Sequence, residues 1–151
     1  MSLKEEVECL QCIPMFSKIE PSRLKLLAFT SDRLTFAPGQ ELFHQGDTGD
    51  AAYIIMDGEA DVTVDTPAGE ISIARVRKND LIGEIAILCD VPRTATIKAL
   101  TEVTTLAISK DLFFQMVTEF PEMAVEIMRE LASRLERTTS QLREAMSNRA
   151  D

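Results

Sequence analysis

The chain has 151 residues, enough for one domain that buries roughly 70% of the surface it exposes when unfolded. Apolar residues make up 45% and charged residues 27%, ordinary globular usage that excludes collagen-like, low-complexity and wholly disordered chains. With 16 basic and 25 acidic residues the net charge is −9, which argues against nucleic acid as a direct partner and against binding to an anionic membrane surface.

No apolar run approaches the ~20 residues of a membrane helix, so no membrane insertion is expected. Met1 to Glu8 has no signal-peptide core and carries Glu5, Glu6 and Glu8, and the expected compartment is a reducing cytoplasm. Cys9, Cys12 and Cys89 are odd in number. Cys9 and Cys12 have the spacing of a redox or metal motif, but a thiolate metal site needs about four ligands, and only Cys89 and His44 remain to complete it. The three cysteines are therefore expected to be small buried hydrophobes, with no metal and no catalytic cofactor. His44 is the sole imidazole and sits in a predicted strand beside Phe43. With no nucleophile–base pair, catalysis is not expected.

In chain order, the first 30 residues read as helical. Leu3, Val7 and Leu10 form one stripe, Pro14 interrupts it, and a second helix follows Pro21 with Leu24, Leu27 and Ala28 on one face. From Ser31 to Ile108 short apolar runs alternate with turn signals such as Pro38-Gly39, Gly46-Asp47, Asp57-Gly58, Ala68-Gly69 and Asn79-Asp80. The runs include Leu42-Phe43, Tyr53 to Met56, Val62 with Val64, Ile71 with Ile73, and Thr94 to Leu100. Short strands at this spacing predict a barrel or jelly roll, not a parallel sheet. The organisation expected is a helical element over 1–30, a β core over 31–108 and C-terminal helices over 109–151. Ser109 is the predicted N-cap of the first of these helices, with Asp111 in its first turn and Leu112, Phe113 and Met116 inward. Pro121 restarts the last helix, which extends to about Asn148. Met128, Leu131, Leu135, Thr138, Leu142 and Ala145 form a heptad seam on it. That seam either packs on the chain's own barrel or pairs with a second copy. Pairing is the expectation, giving a homodimer through Met128, Leu131, Leu135 and Leu142.

The segment from Ile82 to Thr96 carries the chemistry. Gly83 lets the backbone turn tightly or approach a ligand. Glu84 to Leu88 is expected to form one helical turn whose free N-terminal amides suit an anion. An arginine at 93, returning the chain to a strand, can neutralise a phosphate through two charge-assisted hydrogen bonds, and Glu84 can accept from a ribose hydroxyl. Taken as single residues, Glu84 and Arg93 read first as an ordinary surface ion pair.

Taken together, Gly83-Glu84 followed by Pro92-Arg93 resembles the phosphate-binding cassette of the cyclic nucleotide-binding domain family. The resemblance extends from about residue 8 to 145: Leu10 to Ser17 resembles the family's opening helix and its exit. Phe36, Pro38-Gly39-Gln40, Leu42, Gln45-Gly46-Asp47, Tyr53-Ile54-Ile55 and Gly58-Glu59 match its first strands and turns, and the helices from Ser109 match its lid. It implies a mainly β fold with flanking helices: a β-roll, an eight-stranded jelly-roll barrel, with an N-terminal helical element and C-terminal lid helices. It implies a sensor or regulatory domain for cyclic AMP or cyclic GMP that transmits binding to its C-terminal helices. The alternative is an interaction module of the same fold with an unused pocket. Arg93 would hold the cyclic phosphate with Thr94 and the amides of Ile85, Ala86 and Ala95. Gly83 and Glu84 would hold the ribose, and Thr94, Val62, Ile73 and Ala74 would face the base. Thr94 fits either base. A lid residue near Arg134, Leu135 or Thr138 would cap it. Ile82 stands where many family cassettes have phenylalanine, an apolar-for-apolar change.

Overall fold

A computed structural model describes residues 2–13 and 16–149, so the interruption predicted at Pro14 lies outside the described residues. Two helices come first, α1 (Leu3–Gln11) and α2 (Pro21–Thr30). The strands follow: β1 (Asp32–Phe36), β2 (Glu41–Phe43), β3 (Ala51–Asp57), β4 (Glu59–Thr66), β5 (Gly69–Arg77) and β6 (Leu81–Ile82). A short helix, α3 (Glu84–Cys89), separates these from β7 (Thr96–Ala99) and β8 (Val103–Ser109). Helices α4 (Lys110–Glu119) and α5 (Pro121–Arg149) complete the chain as described.

The strands form two four-stranded antiparallel sheets, ordered β1-β8-β3-β6 and β2-β7-β4-β5, as the jelly-roll expectation requires. Strand β3 is apolar on both faces because both are covered. Ala52, Ile54 and Met56 join Leu106 and Ile108 of β8 beneath the helices, against Leu10, Phe16, Leu24, Phe113 and Met123. Tyr53 and Ile55 point the other way, toward Phe36, Leu42, Ala60, Ile82, Ile97 and Val103 between the sheets. The molecule thus has two cores, one inside the roll and one joining the roll to its helices. Each large apolar side chain among them contributes about 1.5–3 kcal/mol by leaving water.

The predicted caps are present. Ser109 Oγ accepts from the Leu112 amide at 3.2 Å, and Pro121 opens α5. Phe113 and Met116 are buried and Leu112 is half-buried. Cys9 is buried, its thiol donating to Asn79 Oδ1 at 2.9 Å, and burial pushes its pKa up. Cys12 and Cys89 are exposed, contrary to the expectation of three buried thiols, because each lies at the end of a short helix and not on its inward stripe. His44 falls one residue beyond β2, not within it.

Helix α5 divides its apolar residues. Leu131 packs against the domain's own helix-covered core, whereas Met128, Leu135 and Leu142 are 60%, 68% and 59% exposed. Among the described residues, no helix is long and apolar enough to cross a membrane.

Candidate functional site

The chain between β6 and β7 is built around Gly83. Its φ of +81° is the left-handed region that glycine enters without cost. A Cβ there would also lie 2.6 Å from Arg93 Nη1 and 3.3 Å from the Ala51 carbonyl. The turn delivers the chain directly into α3, with Gly83 as N-cap and no side chain capping the helix start. Glu84 sits in the first turn, where its charge suits the helix dipole. Helix α3 ends at Asp90 (φ +52°), whose carboxylate meets Lys110 at the start of α4 at 3.3 Å. The cassette is therefore tied at its far end to the first lid helix.

Arg93 is held from several sides. Its backbone N–H donates to Asp47 O at 2.8 Å and its carbonyl accepts from the Gly46 amide at 2.9 Å, pinning the 46–49 turn against it. Its side chain enters the roll and is only 4% exposed. Nη1 donates to the Gly83 carbonyl at 2.8 Å and Nη2 to the Ala51 carbonyl at 2.7 Å. The guanidinium lies 4.1 Å from the centroid of the Phe43 ring and 5.8 Å from that of Tyr53. Burial pulls its pKa below the ordinary value, opposed by Tyr53, Asp50, Asp47 and Glu84. A guanidinium stays charged under such a shift, so the roll contains a permanent buried cation.

Glu84 is also 4% exposed. Its partner is not Arg93 but Arg134 on α5, whose Nη1 donates to Oε1 at 2.5 Å. The alternative of a surface Glu84–Arg93 ion pair is excluded on both counts: the groups are buried, and each has another partner. Glu130, one turn before Arg134, carries a pKa raised mainly by burial; Arg134 and Arg137 oppose the shift, and Glu84 and Asp80 add to it.

The other proposed residues are spread around this pair. Ile85 is half-buried and Ala86 buried in α3. Thr94 is exposed and Ala95 half-buried in the bend before β7. Val62 packs on the core between the sheets and pairs in register with Ala74 of the edge strand β5. Ile73 sits at a bulge opposite the Val62–Thr63 step and is 58% exposed. Phe43 and Tyr53, which enclose Arg93, come from strands in opposite sheets and were legible in the sequence only as strand residues. Arg134, among the residues near which a base cap was expected, instead contacts Glu84 of the cassette.

Comparison with known proteins agrees with this geometry. Residues 33–120 match the family model described as "Cyclic nucleotide-binding domain". The chain is 30% identical over 129 residues to the CRP-like cAMP-activated global transcriptional regulator of Mycobacterium tuberculosis, covering 85% of this chain and 58% of that protein. It is 32% identical over 105 residues to the cAMP-dependent protein kinase regulatory subunit of Yarrowia lipolytica, covering 70% of this chain and 28% of that protein. Among solved structures, the N-terminal domain of a transcriptional regulator from Streptomyces coelicolor A3(2) superposes with a TM-score of 0.69 at 35% identity, covering 87% of this chain and 95% of that domain. The chain thus spans less than two thirds of the curated relatives it matches, both regulatory proteins by name. With a matching family model over more than half its length, and with Glu84 and Arg93 of the cassette both buried, the chain belongs to the cyclic nucleotide-binding domain family.

Proposed function

We propose that this chain is a cytoplasmic, non-catalytic sensor domain that binds cyclic AMP or cyclic GMP and passes the binding event to α4 and α5. The observation that carries this is the pairing of a buried cation and a buried carboxylate across one glycine turn, each with bonding capacity to spare. Arg93 Nε has no partner among the described residues, and the ion pair to Arg134 uses only Oε1 of Glu84. A cyclic nucleotide supplies what both need: an anionic phosphate for Arg93 and a 2′-hydroxyl donor for Glu84. The amides of Ile85, Ala86 and Ala95 complete the phosphate site, with Thr94 beside Arg93. Gly83 lets the ribose approach, and Thr94, Val62, Ile73 and Ala74 face the base. This arrangement explains how a chain of net charge −9 captures an anion: the field is local and desolvated.

Transmission follows from Arg134. It joins Glu84 to α5 across 50 residues of sequence, so a ligand that engages Glu84 acts on the helix through one ion pair. The exposed line of Met128, Leu135 and Leu142 gives α5 a seam for a second copy.

The test is a calorimetric titration of the wild type and Arg93→Ala with cyclic AMP and cyclic GMP. The wild type should bind at least one of them. The variant should bind at least a hundredfold more weakly, the order expected for losing a buried charge-assisted phosphate contact. Equal binding by both proteins would remove Arg93 from the site.

A further inference from the structure

Buried arginines ordinarily rest against carboxylates. Arg93 does not: among the described residues, none of its contacts is an ion pair. Its counterweight is aromatic. The Phe43 ring lies 4.1 Å from the guanidinium carbon, with the Tyr53 ring 5.9 Å from Phe43 and tilted 30° to it. The difference bears on function. A carboxylate in that place would neutralise the cation and occupy the same in-plane N–H groups that an anionic ligand needs. A ring face attracts the cation from above its plane and leaves those donors alone.

The donors are also divided by position. Nη1 and Nη2 each give one N–H to the carbonyls of Gly83 and Ala51, which leaves the second N–H on each and the Nε, unpartnered among the described residues. The backbone of Gly49 packs closely on the Nε side, where no side chain would fit. A Cβ there would stand 3.2 Å from Nε, 3.1 Å from Cζ and 2.7 Å from the Ala86 Cβ.

We infer that Phe43, with Tyr53 beside it, is the positioning residue for anion capture: it holds Arg93 inward and charged without taking up the in-plane N–H groups that would receive the cyclic phosphate. The inference rests on the cyclic nucleotide reading and adds to it a residue that does not touch the ligand. Its role is to fix the fraction of molecules whose guanidinium is already in place, and apparent affinity scales with that fraction. Such a population effect has a kinetic signature. It slows association and leaves dissociation unchanged, whereas a lost ligand contact speeds dissociation.

Stopped-flow binding of 8-substituted fluorescent analogues of cyclic AMP and cyclic GMP tests this on the full chain, comparing wild type, Phe43→Leu and Phe43→Tyr. Association should slow by about three- to tenfold in Phe43→Leu, the span of a partly desolvated cation–π contact. Dissociation should stay within about twofold, and Phe43→Tyr should match the wild type. Because leucine also changes packing, trifluorophenylalanine placed at position 43 serves as the shape-preserving variant, and its weakened ring quadrupole should slow association as well. Unchanged association in both the leucine and trifluoro variants, or a loss confined to dissociation, would overturn the inference while leaving the cyclic nucleotide site standing. Failure of the wild type to bind either analogue, or either unmodified nucleotide, would overturn the reading beneath it and the inference together.

Discussion

The two charged residues of the cassette are buried to the same extent but held by different means. Arg93 is kept by carbonyls and rings and Glu84 by a second ion, so neither neutralises the other. This separation leaves both available to one ligand, and it sets a test for Arg134. If Arg134 acts through Glu84, its contribution belongs to ligands carrying a 2′-hydroxyl. The wild type should bind 2′-deoxy cyclic AMP or its guanine counterpart about tenfold or more weakly than the parent nucleotide, the range for a hydrogen bond to a charged group. In Arg134→Gln that gap should shrink. A gap of the same size in both proteins, measured by calorimetry as a double cycle, would show that Arg134 does not act through the glutamate. At this scale the sequence was informative wherever the site is contiguous: Gly83, Glu84 and Arg93 lie within one stretch whose spacing has a chemical reason. Phe43 and Tyr53 reach the arginine from opposite sheets, and nothing in their local pattern distinguishes them from ordinary strand residues.

Among the elements, those with a strong period or a cap were legible. Helix α4 begins at its serine N-cap, α5 begins at its proline, and α3 is the predicted helical turn after a left-handed glycine. Strand β1 was not among the predicted apolar runs. Four of its five residues are exposed, and it is a strand because β8 offers an edge in register from Asp32–Ala107 to Phe36–Val103. Such a strand is specified by its neighbour, not by its own alternation. Ile73 shows the same limit. The alternation Ile71-Ser72-Ile73 reads as a regular strand, but a bulge opposite Val62–Thr63 shifts the register at Ile73, a feature that composition does not encode. Helix α5 illustrates the reverse: its heptad was legible in full, and tertiary packing then divided it, drawing Leu131 into the core and leaving its neighbours on the seam outside.

For the whole molecule, that division bears on assembly. Met128, Leu135 and Leu142 fall seven residues apart on one exposed line, the spacing at which two helices pair along their length. Light scattering at tens of micromolar should give twice the chain mass. Leu135→Asp should return the monomer, because it places a charge in the middle of the seam, and its far-UV circular dichroism should be unchanged. A wild type that scatters as a monomer would contradict the dimer. Pairing through α5 would also place the helix that holds Glu84 at the junction of two sensing sites, so each ligand would bias a shared element only by its differential affinity for the two arrangements of that element.

The central claim is that the roll captures a cyclic nucleotide, and thermal unfolding tests it most directly. Scans would be run without ligand and with cyclic AMP, cyclic GMP or linear AMP at about 1 mM. A nucleotide present at a hundred times its dissociation constant adds about 2.7 kcal/mol. For a domain of this size that raises the unfolding midpoint by roughly 5–10 °C. The expected result is a shift of that order with one or both cyclic nucleotides and none with linear AMP. An unchanged midpoint with both cyclic nucleotides would contradict the account and leave the domain as an interaction module with an unused pocket.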